Sequence, residues 1–241
     1  MKYALIMGAS GDIGTAIAKQ LAKEGWSLYL HYYRSEEKIM ALRDALHQKY
    51  PKQDFLTCRY DLRDSKHLDQ LTNQLFSLDA LIFASGHTTY DLVMDMTQEA
   101  MTDLYRVHLE SPALLCGQLQ HKLAQKSCGR VVFIGSIYGI VGSAMEVMYS
   151  AMKAGEQAFV SGYAKEVARL GITVNVVAPG AVDTTMNHHF DNLERATIES
   201  EIPLGRFAYP DEIATVVEFL CQETSQYITG ATIPVSGGWL I

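Results

Sequence analysis

Lys2-Tyr-Ala-Leu-Ile-Met-Gly-Ala-Ser-Gly-Asp-Ile-Gly14 opens the chain, and its reading decides the fold. Lys2 to Met7 is a short apolar run with strand character. Gly8-Ala-Ser-Gly-Asp-Ile-Gly14 follows at once as a turn. Ile13, Ala16, Ile17, Leu21 and Ala22 then recur at helical spacing up to Gly25, a C-cap. Strand, glycine turn and helix in series let a backbone approach a pyrophosphate at a helix N-terminus. Glycine in such a turn avoids a Cβ clash and supplies left-handed conformations.

The pattern repeats outward from this unit. Strands are expected at Ser27 to Tyr32, Phe55 to Tyr60, Leu78 to Phe83, Arg130 to Gly135, Ile172 to Ala178 and Ala231 to Ser236. Helices are expected at Ser35 to Tyr50, Thr97 to Gln125 (bent or interrupted at Pro112), Met148 to Leu170 and Asp211 to Gln222. Thr185 to Ile202, polar and acidic with His188 and His189, reads as a mobile lid. Alternating strands and helices make an α/β fold: one doubly wound parallel sheet of about seven strands with helices on both faces. Residues 1–241 show no repeat or linker and read as one domain.

The end of the second strand bears on the ligand. A dinucleotide site of the NAD type places an acidic residue there for the ribose hydroxyls. This chain has Tyr32-Tyr-Arg-Ser35 instead, and Arg34 with Ser35 favours a 2′-phosphate, hence NADPH. Asp61-Leu62, closing the third strand, is placed to bind an adenine edge.

A second stretch carries chemistry. Ser136 lies just past the buried run Val131-Val-Phe-Ile134, and Tyr149 and Lys153 are four apart, on one helix face. An ammonium beside a phenol lowers a pKa that starts near ~10 and makes the tyrosine a proton donor and acceptor near neutral pH. A hydroxyl at Ser136 holds a carbonyl oxygen in front of that phenol.

Composition sets the bounds. Hydrophobic residues are 48% and charged residues 20%, enough for a full core. No apolar run reaches the ~18 residues of a membrane span, and no leader pattern precedes the first strand. Cys58, Cys116, Cys128 and Cys221 lack metal-type spacing and read as reduced, packed thiols of a cytoplasmic protein. The net charge of −7 argues against nucleic-acid binding.

Taken together, these motifs resemble the short-chain dehydrogenase/reductase family over essentially the whole chain. The glycine turn, Asp61, the Ser136, Tyr149 and Lys153 set, Pro179-Gly-Ala-Val-Asp-Thr184, Ile202-Pro-Leu-Gly-Arg206 and Ser236-Gly-Gly238 carry the resemblance. It implies a Rossmann-fold carbonyl reductase using NADPH (NADP+). Gly8, Ser10, Ile13 and Gly14 would surround the pyrophosphate. Val182 would meet the nicotinamide amide, and Thr184 the phosphate side. Pro179 and Gly180 belong to the same segment. Ser136 would orient the substrate oxygen, Tyr149 would donate the proton, and Lys153 would bind the nicotinamide ribose and tune Tyr149. Three positions depart from the pattern. Asp12 replaces a turn glycine, as a helix cap with its charge pointing away from phosphate. Phe83-Ala84-Ser85-Gly86 lacks the usual amide. His108 stands where an asparagine normally holds a water near the lysine, and could relay a proton.

Two subfamilies are similar. Gly171-Ile-Thr-Val-Asn-Val-Val-Ala-Pro-Gly180 and Ile202-Pro-Leu-Gly-Arg206 recur in 3-oxoacyl-[acyl-carrier-protein] reductases. The settings of His108, Glu146 to Ser150 and Ala178 to Thr184, with the ending Tyr227 to Trp239, resemble more closely the bacterial elongation factor P 5-aminopentanone reductases. Such a substrate carries an ammonium a few carbons from its ketone, and Glu146 is placed to pair with it. Carrier-protein reductases keep basic residues on a docking rim where this chain has Ser127 and Leu170, although Lys126 and Arg169 are adjacent. The resemblance also implies a homodimer or homotetramer through the helices around Pro112 to Gln125 and Ser150 to Leu170. A cofactor-binding scaffold or sensor without turnover is the alternative of another class.

Overall fold

A computed structural model describes residues 1–187 and 190–239; His188 and His189 of the expected lid lie outside the described residues. The strands are β1 (Lys2–Met7), β2 (Trp26–Tyr32), β3 (Phe55–Arg59), β4 (Ala80–Phe83), β5 (Arg130–Ile134), β6 (Thr173–Pro179) and β7 (Thr232–Val235). They form one seven-stranded sheet in the order β3-β2-β1-β4-β5-β6-β7, parallel at every pairing. Chain direction across the sheet reverses between β1 and β4, which opens a crevice at their carboxyl ends. The helices are α1 (Asp12–Lys23), α2 (Glu36–Lys49), α3 (Asp69–Thr72), α4 (Gln98–Tyr105), α5 (Ser111–Ala124), α6 (Tyr138–Val141), α7 (Val147–Val167), α8 (Asn192–Glu201) and α9 (Pro210–Cys221).

Side-chain alternation explains the layers. On β1, Ala4 and Ile6 enter one core with Ile17 and Leu21 of α1, Ile39 of α2 and Val217 of α9. Leu5 and Met7 enter the opposite core with Leu115 and Leu119 of α5 and Val160 and Val167 of α7. Both faces are covered, so the strands read as continuous apolar runs. Each fully buried side chain contributes about 1.5–3 kcal/mol. Cys58, Cys116 and Cys221 are buried free thiols within these layers. No helix among the described residues is long and apolar enough to cross a membrane.

Two segments refine the sequence reading. From Gln98 to Ala124 the chain stays helical, but it widens into a π-helical turn at Arg106–Glu110. Pro112 has no N–H to offer the carbonyl of His108, and its ring crowds that carbonyl; one wide turn relieves both. The expected polar lid has local structure of its own. It carries a helix, α8, closed by a capping box: Asp191 accepts from the Leu193 and Glu194 N–H groups, both at 2.8 Å, and Glu194 accepts from the Asp191 N–H at 2.9 Å. Phe190 and Ile198 pack there against Ile202, Phe207 and Trp239, a third small core.

Candidate active site

The glycine turn lies in the crevice between β1 and β4. Gly8 has φ +77°, and a Cβ there would meet Ser85 Cα at 2.6 Å; one on Gly14 would strike the Gly8 carbonyl. The turn is braced from below. The Gly8 N–H donates to His31 Nδ1 at 3.0 Å, and His31 Nε2–H donates to the Tyr60 carbonyl at 3.1 Å. His31 is 3% exposed, and burial lowers its pKa to about 4, so the neutral ring serves as acceptor.

A cleft runs outward from this turn. Gly8, Ser10, Arg34 and Ser35 line one side, Asp61 and Leu62 the other, and Ala84, Ser85 and Gly86 the floor. Arg34 is exposed and lies over the Tyr33 ring at 5.0 Å. The Asp61 carboxylate is held by Arg63, with Nη2 to Oδ2 at 2.7 Å, and this pairing works against burial to hold the carboxyl below its ordinary range. Asp61 therefore faces the cleft already committed to a guanidinium. The Leu62 carbonyl accepts from the Ser111 hydroxyl at 2.6 Å. Ser85 Oγ is buried without a hydrogen-bond partner among the described residues. An orphaned hydroxyl above a turn that tolerates no Cβ fits a ligand bringing its own polar groups.

Asp12 does not cap α1, which starts after Gly11 with no side-chain cap. Its carboxylate accepts from the Thr185 N–H at 2.7 Å and pairs with Lys38 at 3.0 Å. The charge is turned away from the glycine turn, and it ties the start of α1 to the segment leading into α8. Asp12 and Thr184 border a separate depression beside Lys19 and Tyr209.

The reaction centre forms where β4, β5, β6 and α7 converge. Ile13, Ser136, Tyr149, Lys153, Pro179, Gly180, Val182 and Thr184 line one cavity, which shares Ala84, Ser85 and Gly86 with the cleft. Ser136 accepts from the Tyr138 N–H at 3.1 Å and is hydrogen-bonded to the Tyr149 phenol. The Val182 carbonyl accepts from the Asn187 side chain at 2.8 Å. Lys153 Nζ lies 5.6 Å from the Tyr149 ring centroid, yet it donates to Glu156 at 2.9 and 3.1 Å and to the Ile134 carbonyl at 2.9 Å. The expectation of a lowered Tyr149 pKa is corrected here. Burial first, then the Glu156 and Glu146 carboxylates, push the phenol well above its ordinary value, against the Ser136 hydrogen bond. The phenol is held in its proton-bearing form.

His108 comes from the π-helical turn and is 1% exposed. Nε2–H donates to the His87 carbonyl at 2.9 Å, and Nδ1 lies 3.2 Å from Glu156 Oε1. Gly86 makes room for the ring, since a Cβ there would meet His108 Cε1 at 2.6 Å. His108, Glu156 and Lys153 thus form one buried cluster behind Tyr149. Removing one partner of such a buried pair costs about 3–5 kcal/mol.

On the outer side of Tyr149 the cavity is aromatic with one carboxylate. Tyr90, Tyr138, Phe190 and Trp239 line it, together with Glu146. Met145 takes a left-handed φ of 62°, and this turn tucks Glu146, 8% exposed, into the cavity wall. The Thr88 hydroxyl donates to Glu146 at 2.7 Å.

The residues given a catalytic, cofactor or substrate role in the sequence lie at this crevice except Asp12, whose carboxylate turns away, and Gly14, which packs beneath the turn. Glu156, His31 and Arg63 went unread. Glu156 had a signal, its three-residue spacing from Lys153 on one helix face. His31 had a weaker one, an ionisable group in a strand that is otherwise mostly apolar.

Comparison with known proteins places this site. A family model described as enoyl-(acyl carrier protein) reductase matches residues 8–240. An uncharacterised oxidoreductase, YmfI, of Bacillus subtilis (strain 168) is 38% identical over 239 residues, covering 99% of this chain and 98% of its own. The 3-oxoacyl-[acyl-carrier-protein] reductase FabG of Rickettsia prowazekii (strain Madrid E) is 34% identical over 240 residues, covering 100% and 97%. The crystal structure of L-sorbose reductase from Gluconobacter frateurii, complexed with NADPH and L-sorbose, superposes with a TM-score of 0.92 at 25% identity, covering 99% of this chain and 96% of that one. With the sheet order, the glycine turn and the serine, tyrosine and lysine around one cavity, these matches show that the chain is an oxidoreductase belonging to the short-chain dehydrogenase/reductase family.

Proposed function

We propose that the protein is an NADPH-dependent carbonyl reductase whose substrate is an amino-ketone, most specifically 5-aminopentanone-modified elongation factor P. The observation that carries the substrate class is Glu146, a buried carboxylate in the aromatic wall of the cavity that holds Tyr149. An ammonium a few carbons from a ketone fits such a wall, through the carboxylate and through the ring faces.

NADPH supplies the hydride that reaches the carbonyl carbon. Gly8, Ser10, Ile13 and Gly14 hold its pyrophosphate, Arg34 and Ser35 its 2′-phosphate, and Asp61, Leu62, Ala84, Ser85 and Gly86 its adenosine side. Pro179, Gly180 and Val182 form the nicotinamide end, and Thr184 reaches the phosphate side. Ser136 fixes the ketone oxygen, and Tyr149 gives that oxygen its proton, the phenol being held in its proton-bearing form. Lys153 and His108 lie behind Tyr149 on the route by which its proton is replaced.

A carrier-protein thioester is the second reading, favoured by the FabG relative. Against it, Lys126 is paired with Asp79 at 2.7 Å, and Ser127 and Leu170 carry no positive charge where carrier-protein reductases keep basic residues.

The test is NADPH oxidation with acetoacetyl thioester beside 5-aminopentanone-modified elongation factor P. Glu146→Gln is expected to lower kcat/KM on the amino-ketone roughly tenfold and leave the thioester within about twofold. Tyr149→Phe should abolish reduction of both and keep cofactor binding. Equal losses on both substrates in Glu146→Gln reject the ammonium site, and turnover of the thioester alone favours the carrier-protein reading. Cofactor binding with neither substrate reduced leaves a scaffold or sensor.

A further inference from the structure

The carboxylate of Asp12 joins three segments that border the cofactor crevice at different places. Asp12 is the first residue of α1, directly after the glycine turn. Its Oδ2 accepts from the Thr185 N–H at 2.7 Å, and its Oδ1 accepts from Lys38 Nζ at 3.0 Å. Thr185 follows Thr184, which lines the reaction cavity and is 9% exposed. Lys38 lies in the first turn of α2, which begins just after Arg34 and Ser35 of the outer cleft. The glycine turn, the 182–185 segment and the start of α2 therefore meet at one side chain. Both of its bonds are charge-assisted, but they are unequal. The Thr185 donor is a backbone N–H, with no side-chain freedom to lose. Lys38 is 50% exposed, so its pairing is weakened by water. Two bonds of Asp183 pull the same segment the other way. Its N–H donates to the Ala208 carbonyl at 2.8 Å, and its Oδ1 accepts from Arg195 at 2.9 Å. Asp12 supplies the tie back to α1.

We propose that Asp12 is a positioning residue for the dinucleotide, whose carboxylate clamps the 182–185 segment to the start of α1 and so slows the release of NADPH. The proposal rests on the placement of NADPH given above, with Val182 at the nicotinamide and Thr184 on the phosphate side. A free carboxylate at the start of α1 would compete with a pyrophosphate for the same helix end. Here both oxygens are turned to other donors, so the charge is spent on holding the crevice together. The two roles have opposite consequences. Removing a clamp loosens NADPH, whereas removing a bare negative charge beside the phosphates tightens it.

Release of NADPH, followed in stopped flow by the fluorescence of the nucleotide itself, tests this in the wild type, Asp12→Ala, Asp12→Asn and Lys38→Met. Asp12→Ala is expected to release NADPH roughly tenfold faster or more, the size of a lost charge-assisted hydrogen bond. Asp12→Asn keeps an oxygen for the Thr185 N–H and should recover most of the loss. Lys38→Met, which removes only the water-exposed partner, should stay within about threefold of the wild type. In steady state the KM for NADPH should rise in Asp12→Ala, while the KM for the ketone at saturating NADPH stays within about twofold. Hydrogen exchange in the peptide that carries Thr185 gives a readout without turnover: it should be faster in Asp12→Ala than in the wild type, with NADP+ and without it. Release from Asp12→Ala that is as slow as from the wild type, or slower, would overturn the proposal. Unchanged exchange at Thr185, or an Asp12→Asn variant that loses as much as Asp12→Ala, would do the same. A wild type that binds no NADPH rejects the cofactor reading itself, whereas wild-type binding with release unchanged in Asp12→Ala rejects the clamp alone.

Discussion

At the residue scale, two arginines at the outer cleft differ in what they are free to do. Arg63 is bound to Asp61 and Tyr33 and is spoken for. Arg34 stacks on Tyr33 and forms no ion pair among the described residues, so its charge faces the cleft. Arg34→Ala is therefore expected to raise the KM for NADPH roughly tenfold or more and to leave that for NADH within about twofold, the size of a lost charge-assisted contact. Steady-state kinetics with the two cofactors checks this; equal changes for both would show that Arg34 does not read the 2′-phosphate. Tyr149 and Lys153 were legible because a four-residue spacing puts them on one helix face. The direction of the Tyr149 shift was not legible. It is set first by burial of the phenol and then by the Glu156 and Glu146 carboxylates, which only the folded packing brings around it.

Elements were legible where both faces are buried or one stripe is apolar. β1 has the bounds that its sequence implies, β2 and β5 differ from theirs by one residue at one end, and α9 is shifted by one residue at both ends. Pro112 marked an interruption in the long helix, but its form as a π-helical turn, and α8, were not legible. The first arises from a clash between Pro112 and a carbonyl four residues earlier, which leaves no mark on periodicity. The second is a polar helix with few apolar residues, set by its capping box and by Phe190 and Ile198 against Trp239. The outer surfaces of α5 and α7 lead to a prediction. Leu114 is 43% exposed on α5. On α7, Ala151, Ala154, Ala158 and Gly162 form an exposed stripe on which another helix can lie close. We expect a homodimer or homotetramer through these helices, seen in light scattering as two or four times the 26.8 kDa chain. Ala158→Arg should reduce it to a smaller species, and a wild-type monomer would contradict the expectation.

The whole molecule carries an acid sensitivity written into its centre. His31 lies in the sheet beneath the glycine turn, accepts from Gly8 and donates to the Tyr60 carbonyl, and is neutral when folded, with a pKa near about 4. In the unfolded chain a histidine takes its proton near ~6.5. As pH falls below that value the unfolded state binds the proton first. The stability present above ~6.5 is then lost progressively until the folded pKa is reached, at up to about 1.4 kcal/mol per pH unit and about 3 kcal/mol in all. His87 is held low by burial and by His108 and acts in the same direction. Asp12 and Asp61, held below their ordinary range, add their losses only at lower pH. A total of a few kcal/mol is a large share of the ~5–15 kcal/mol that holds a domain folded. Urea unfolding at about pH 7.5 and about pH 5 is expected to show a loss of about 2 kcal/mol in the wild type. His31→Asn, which keeps a donor and an acceptor but does not titrate, should lose less than half of that over the same interval. The same drop in both proteins would assign the acid limit to other groups and leave His31 as a brace for the glycine turn alone.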